Sequence, residues 1–241
     1  MRKISVFMSL VLATTVMAAG HAAAYEAVPV PDGGTLSGTV KFDGPPPPPA
    51  KIEVSKDNEV CGKEKMAPDL VIGAGGGIAN AVVMVKAAKG TAPIPPAQNP
   101  VLDQKTCEYK PHILVFPAGS TVDVMNSDGI LHNIHTFGTT NTPMNQAQPK
   151  FKPKIQIKVE KAEWPPIPVK CDVHGWMSAY FVATEHPYVA VTDTSGNFTI
   201  TDLPPGDYEV EVWQEKLGKT TQKVSIKAKE TTKVDWALKK S

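Results

Sequence analysis

Apolar residues in this chain recur mainly with a period of two, and turn-forming residues interrupt them every few positions. The 23 Pro and 18 Gly residues leave few segments with the spacing of an amphipathic helix. Short alternating segments bounded by turn residues are typical of β-strands. Ten such strands are predicted, at residues 39–42, 81–85, 112–116, 121–125, 154–159, 179–184, 198–200, 208–213, 223–226 and 232–236. This pattern predicts an all-β protein made of β-sandwiches, with two as the expected number.

Three stretches interrupt the alternating pattern and mark the seams of the chain. Residues 45–49 are five consecutive prolines, residues 73–77 are rich in glycine, and residues 93–100 are rich in proline. Proline runs form extended spacers, whereas glycine runs form flexible turns. The seams predict an N-terminal segment, a central segment of about eighty residues and a C-terminal segment.

The N-terminus has the layout of a secretory signal. Arg2 and Lys3 precede an apolar run over residues 4–19, and small residues at 22–24 precede Tyr25. We therefore predict a signal peptide at 1–24 and a periplasmic or secreted mature protein that begins at Tyr25. The rest of the sequence has no stretch of about 18 apolar residues, so no transmembrane span is expected once the signal is cleaved.

The charge balance of the mature chain is close to neutral. Removal of the signal takes two of the 25 Lys and Arg residues and none of the 24 Asp and Glu residues, so 23 minus 24 leaves about −1. A nucleic-acid partner is not expected from this balance, because nucleic-acid binding requires a basic surface.

The chain contains three cysteines, an odd number for an exported protein. Cys61 and Cys107 have no short-range pattern of metal ligands, and an oxidising compartment allows disulfides to persist. They are predicted to pair, which leaves Cys171 as a free thiol.

Soft and borderline metal donors cluster around this free cysteine. Cys171, His174 and Met177 follow one another at intervals of three residues, and His132 lies upstream in the sequence Leu-His-Asn-Ile-His. Two imidazoles, one thiolate and a weak axial thioether form the donor set of blue-copper electron-transfer sites. We predict one copper ion per chain, which cycles between Cu(I) and Cu(II). Zinc is the alternative, but methionine is a poor zinc ligand.

Several neighbours of these donors have predicted supporting roles. Asn133 is expected to hydrogen-bond across to the Cys171 loop. His135 should be structural, because it cannot share the direction of His132 within one strand without a bulge. Gly175 and Trp176 lie between two ligands, where Trp176 either contacts a docking partner or packs beneath the loop.

The central segment, residues 105–185, resembles the cupredoxin family. The resemblance rests on residues 117–122, on Asn126-Ser127-Asp128, on the His-Asn-Ile-His element from His132 and on the Cys-x2-His-x2-Met loop from Cys171. This short loop is similar to that of the amicyanin-like branch and shorter than that of plastocyanins. The resemblance implies a Greek-key β-sandwich in which the first histidine of the His-Asn-Ile-His element binds copper.

The C-terminal segment resembles carboxypeptidase regulatory-like domains, which are small transthyretin-like β-sandwiches. The evidence is Thr-Asp-x2-Gly-x-Phe from residue 192, Leu-Pro-Pro-Gly-x-Tyr from residue 203 and Val-Glu-Val-Trp from residue 210. In that family the domain opens with strands that residues 38–40 and 81–85 can supply. One predicted layout is therefore an outer domain formed by 33–88 and 186–238, with 105–185 inserted into it. The alternative is two domains in tandem.

The leading functional prediction is a mononuclear type 1 copper protein that relays single electrons between redox proteins such as a dehydrogenase and a c-type cytochrome. It is not expected to be an enzyme, because a copper ion with four protein ligands has no open position for a substrate. One alternative is copper storage or delivery by the same ligands. Another is an envelope adaptor that binds carbohydrate or protein through the transthyretin-like sandwich.

Overall fold

The structure is a computed structural model that describes residues 30–86 and 98–240. The predicted signal at 1–24, residues 87–88 of the predicted outer domain and residues 93–97 of the proline-rich seam lie outside the described residues. Among the described residues, no helix is long and apolar enough to cross a membrane.

The described part of the chain is almost entirely β-structure. The first ten strands are β1 (Gly34–Phe42), β2 (Lys51–Glu53), β3 (Glu64–Met66), β4 (Val82–Lys86), β5 (Val101–Gln104), β6 (Tyr109–Lys110), β7 (Ile113–Pro117), β8 (Ser120–Asn126), β9 (His132–Thr136) and β10 (Met144–Gln148). The remaining strands are β11 (Lys154–Val159), β12 (Ile167–Lys170), β13 (Ser178–Thr184), β14 (Val189–Val191), β15 (Asn197–Leu203), β16 (Gly206–Gln214), β17 (Gly218–Ile226), β18 (Thr231–Lys233) and β19 (Trp236–Leu238). A short helix, α1 (Asn58–Cys61), and a 3-10 turn at Ala74–Gly76 complete the described elements.

The all-β prediction is confirmed, and each of the ten predicted strands overlaps an observed one. The segment predicted at 232–236 is divided between β18 and β19. Strands β2, β3, β5, β6, β9, β10, β12 and β14 are not among the predicted ones. Most of these are short, polar or interrupted by proline, so they lack the alternation on which the prediction depends.

The central strands form a sandwich of two sheets. One sheet has the order β10-β9-β12-β13-β7 and the other the order β11-β8-β5-β6. Alternate side chains of β8 and β11, including Val122, Val124, Ile155 and Ile157, are buried between the sheets. This core places the start of β9 next to the loop that joins β12 to β13, because β9 runs antiparallel to β12.

A second sandwich combines strands from both ends of the described chain. Strand β1 pairs with β15, β18 and β19, and the facing sheet has the order β14-β4-β16-β17. Its core includes Leu36, Val83, Tyr188, Leu203 and Val212. The two N-terminal strands β1 and β4 therefore lie in sheets with C-terminal strands. A discontinuous outer domain would require this pairing, and its boundaries stay a prediction.

The two sandwiches meet in a third apolar layer formed by β4 and β16 on one side and β7 and β13 on the other. The buried residues of this layer are Val82, Met84, Ile113, Val182 and Trp213. Polar contacts surround it, with Trp164 Nε1 donating to Glu211 Oε1 at 2.5 Å and His112 Nε2 lying 2.5 Å from Glu215 Oε1. His112 therefore helps to join the sandwiches.

Replacing Trp213 by alanine is expected to destabilise the protein by about 3 kcal/mol, because removal of a buried tryptophan costs about 3–5 kcal/mol. Trp213 is only 9% exposed, and its ring centroid lies 4.9 Å from that of Tyr180. Chemical denaturation of the metal-free protein measures the change. Phe151→Ala is the matched control, because Phe151 is 77% exposed. Equal stabilities of the two variants would contradict a packed interface between the sandwiches.

Glu163 organises the turn that follows β9. Its carboxylate accepts hydrogen bonds from the amide of Thr139, from the Thr139 hydroxyl at 2.9 Å and from the Asn141 amide at 2.9 Å. Burial of Glu163 opposes ionisation, but these backbone and side-chain hydrogen bonds outweigh it and lower the pKa of the Glu163 carboxyl to about 2.

A lowered pKa in the folded state means that the ionised Glu163 stabilises the protein above the ordinary carboxyl pKa of about 4.3. This contribution should be lost as the pH falls towards 2. At neutral pH, Glu163→Gln is expected to be less stable by about 2 kcal/mol, because hydrogen bonds to a charged acceptor are worth about that much. Melting temperatures from pH 7 to pH 2.5 should show the difference from wild type shrinking. A difference that does not change with pH would disprove this role.

Candidate metal centre

Three of the four predicted metal ligands lie on the hairpin loop 171–177, which joins β12 to β13. Lys170 and Ser178 pair at the ends of these strands, and the Cys171 amide donates to the Met177 carbonyl at 3.3 Å. The Met177 amide donates to the His174 carbonyl at 2.9 Å. These bonds make the loop a compact turn with Cys171, His174 and Met177 all buried in it.

The fourth predicted ligand, His132, is the first residue of β9 and faces this loop. Atoms of His132, Cys171 and His174 that could bind a metal all lie within 4.8 Å of one another. The Nδ1 atoms of the two histidines are 3.0 Å apart, and Cys171 Sγ is 3.9 Å from His174 Nδ1. The thiol and both imidazoles are inaccessible to solvent or nearly so.

Carboxylates hold the far side of both imidazoles. His132 Nε2 lies 2.9 Å from Asp128 Oδ2, and His174 Nε2 lies 2.9 Å from Asp57 Oδ2. A carboxylate can only accept hydrogen bonds, so each Nε2 carries a proton, and a ring that carries this proton alone presents its Nδ1 lone pair. Two acceptor nitrogens that face each other at 3.0 Å repel unless a cation or an added proton lies between them.

The ionisation of the site agrees with this reading. Burial lowers the pKa of His132, and the neighbouring His174 lowers it further, although the hydrogen bond to Asp128 opposes the shift. A neutral imidazole is the form that binds metals. Burial raises the pKa of the Cys171 thiol, so a metal ion must displace its proton to bind there.

Asn133 connects β9 to the cysteine loop. Its Oδ1 accepts hydrogen bonds from the Asp172 amide at 2.7 Å, from the Val173 amide at 3.2 Å and from the Cys171 thiol at 3.3 Å. The His174 amide donates to Cys171 Sγ at 3.4 Å, so the sulfur is held from two sides. The thiol proton is used only in the bond to Asn133 Oδ1. The three bonds donated by backbone amides do not need it, so they can hold the loop and the sulfur when a metal displaces that proton.

The other residues singled out in the sequence lie around these donors. His135 Nδ1 contacts Asp172 Oδ1 at 3.1 Å, and the His135 ring stacks on Phe137. Gly175 is exposed, and Trp176 is half-buried with its ring centroid 5.0 Å from that of His174. Trp176 Nε1 donates to the Cys107 carbonyl at 3.1 Å, so part of its role is packing against the disulfide.

The Cys61–Cys107 disulfide is present and lies beside the metal donors. Its two sulfur atoms and a nitrogen of His174 are within 4.8 Å of one another. Cys61 belongs to a segment that the sequence does not predict at the site, residues 51–66, which contains β2, α1 and β3 and is here called the cap. Sequence reasoning missed Asp57 on the cap and did not single out a role for Asp128.

The donor set fits a copper ion better than a zinc ion. One thiol and two Nδ1 lone pairs converge in a buried space, and the loop also carries the buried Met177, whose sulfur is a thioether. The Asp172 carboxylate of the same loop is engaged by Asn145 and His135. A thioether is a weak donor that copper tolerates and zinc disfavours. The arrangement can hold a soft cation with little movement of the surrounding side chains.

A protein-family model matches the C-terminal segment of the chain. Residues 179–239 match the family model of the carboxypeptidase regulatory-like domain, which confirms that resemblance for the C-terminal segment. The match begins within β13, before the predicted boundary at residue 186, and includes neither β1 nor β4. No curated protein matches the sequence.

Solved structures with a similar fold include cupredoxins. A purple cupredoxin from Nitrosopumilus maritimus has 17% identity and a TM-score of 0.30, and the match covers 36% of this chain and 100% of that one. A mutant of amicyanin in its Cu(I) form has 17% identity and a TM-score of 0.32, with coverage of 42% and 98%. A Cu-containing nitrite reductase from Thermus scotoductus has 18% identity and a TM-score of 0.31, with coverage of 41% and 24%.

Proposed function

We propose that this protein is an exported, mononuclear type 1 copper protein that relays single electrons between redox partners. The observation that carries the proposal is the convergence of the Cys171 thiol with the Nδ1 atoms of His132 and His174, whose Nε2 atoms are both bound to carboxylates. Both rings are thereby fixed in the tautomer that directs a lone pair at a shared cation.

The protein would hold the ion through His132, Cys171, His174 and, more weakly, Met177. When bound, copper supplies a reversible one-electron change between Cu(I) and Cu(II). The His174 amide would donate to the thiolate sulfur, and Asn133 Oδ1 would hold the cysteine loop through the amides of Asp172 and Val173. The two aspartates would hold the rings. Since the donors are already buried and hydrogen-bonded, they need little rearrangement when the charge of the ion changes.

Relay of electrons needs no open coordination position, and four protein donors leave none for a substrate. We therefore propose that the protein is not an enzyme and that its partners are redox proteins such as a dehydrogenase and a c-type cytochrome. Export follows from the predicted signal at 1–24, and the disulfide suits an oxidising compartment. The second sandwich, which contains β1, β4 and the C-terminal strands, would then have a supporting role.

The test is a titration of the purified protein, without residues 1–24, with Cu(II). Visible absorption and electron paramagnetic resonance should show an intense thiolate charge-transfer band and narrow copper hyperfine splitting at one copper per chain. Tight Cu(I) binding without this band would favour copper storage or delivery. A protein that binds no copper would leave the transthyretin-like sandwich as the working part, and glycan or pull-down binding would then be measured.

A further inference from the structure

Asp57 lies between the His174 imidazole and solvent at Nε2. Its Oδ2 atom is 2.9 Å from His174 Nε2, and its side chain is 45% exposed whereas that of His174 is 0% exposed. The two residues are 117 positions apart in the sequence. Asp57 precedes α1 but forms no side-chain hydrogen bond with that helix, so its carboxylate is free to hold the imidazole.

The cap that carries Asp57 is firmly attached to the central sandwich. Val54 and Cys61 are buried in the core of that sandwich. Asn58 Nδ2 donates to the carbonyls of Val54 and Gly62, each at 3.0 Å, which closes the loop around α1. At the far end of the cap, Lys65 forms an ion pair with Glu108 at 3.2 Å.

The disulfide joins the two carboxylates that hold the imidazoles. On one side, the Cys61 amide donates to the Asp57 carbonyl at 2.8 Å. On the other side, the Cys107 amide donates at 2.7 Å to Asp128 Oδ2, the same oxygen that lies against His132 Nε2. One covalent bridge therefore fixes the relative positions of Asp57 and Asp128, and with them the two rings.

We propose that Asp57 is a positioning residue of the metal centre and that the cap closes the His174 edge of the site. This inference rests on the proposed function. Asp57 holds His174 in the Nε2-protonated tautomer, directs Nδ1 at the ion and keeps water from the ring. A redox partner therefore approaches His174 across the cap and does not touch the imidazole.

Two variants of Asp57 and one matched control test this proposal. Asp57 has a φ of 53°, so Asp57→Gly removes the carboxylate without backbone strain. Asp57→Asn removes the charge but keeps an oxygen that can accept from Nε2. Glu59→Gln, in the first turn of α1, removes a carboxylate of the cap that does not contact His174.

The first measurement uses the metal-free protein. In ¹⁵N NMR of the histidine rings, the His174 Nε2 proton should exchange slowly with water in wild type and in Glu59→Gln. In Asp57→Gly the signal should be lost to fast exchange, and Asp57→Asn should be intermediate. Equally slow exchange in Asp57→Gly and Glu59→Gln would contradict the claim that Asp57 shields the His174 ring from water, whatever the affinity for copper.

The second measurement is Cu(I) affinity by competition with bicinchoninate. Loss of a carboxylate that orients a ligand histidine is expected to weaken binding about 10- to 100-fold in Asp57→Gly. Asp57→Asn should recover part of this loss. Equal affinities of Asp57→Gly and Glu59→Gln overturn the positioning role. If the wild-type protein protects the Nε2 proton but binds no copper, the proposed function is wrong and the shielding of His174 by the cap still holds. The two failures are therefore distinguishable.

Discussion

Cys171→Ser should give a protein that folds but stays colourless with Cu(II). The visible band of a type 1 site arises from a thiolate bonded to copper, and a hydroxyl group cannot replace it. Loss of the ligand itself should lower copper affinity by more than the roughly 100-fold that can follow the loss of a residue that only orients a ligand. A serine can still donate to Asn133 Oδ1, as the thiol does at 3.3 Å, so the loop should keep its shape.

Absorption, electron paramagnetic resonance and Cu(I) competition measure this effect, and thermal unfolding of the metal-free protein checks the fold. His135→Ala is the matched control. It removes an imidazole that contacts the Asp172 carboxylate beside Cys171 and does not belong to the group of converging donors. We expect this control to keep the band. If Cys171→Ser were coloured, or if His135→Ala were as colourless, the assignment of the thiolate would be wrong.

Removal of the disulfide should cause the largest loss of stability in the metal-free protein. Cys61 and Cys107 are 46 residues apart, and closing a loop of this length in the unfolded chain corresponds to about 4 kcal/mol in the chain-entropy model. The double variant Cys61→Ser and Cys107→Ser should therefore unfold at clearly lower urea concentration than wild type. Cys61 and Cys107 are both buried. The serine hydroxyl groups that replace their sulfur atoms would be poorly hydrogen-bonded there, which would add to the loss of stability.

A second double variant separates the effect of the lost disulfide from the effect of placing hydroxyl groups in the core. Cys61→Ala with Cys107→Ala removes the bridge without placing hydroxyl groups in the core. We expect both double variants to lose at least about 3 kcal/mol, with the serine pair the less stable. If the alanine pair were as stable as wild type, the bridge would contribute little and the cap would be held by its other contacts.

The sequence indicates a candidate donor set because three of its members lie in one short pattern. Cys171, His174 and Met177 lie within seven residues, and their types alone restrict the metal. His132 comes from another strand, yet its place in a His-Asn-Ile-His element marks it. The strands with clear alternation, such as β8 and β11, could be predicted for the same reason, since their pattern is local.

What the sequence could not predict depends on distant contacts. Asp57 lies in an ordinary polar stretch, Ser-Lys-Asp-Asn-Glu, and only the folded chain brings it to His174. Strand β12 contains Pro168 and β9 is rich in polar residues, so neither shows an alternating pattern. Both become strands because they pair with neighbours in a five-stranded sheet. The stabilisation from this pairing cannot be read from the local sequence.

The pairing of β1 has a consequence for the order in which the chain can fold. Leu36 pairs with Ile200, and Val40 pairs with Trp236, so this strand finds its partners only after nearly the whole chain has been made. The sheets of the central sandwich, in contrast, use only strands from β5 to β13. Contacts between distant residues form slowly because a long loop must close first. We therefore expect the central sandwich to form early, with β1 and β4 unpaired until their partners among β14 to β19 have been made.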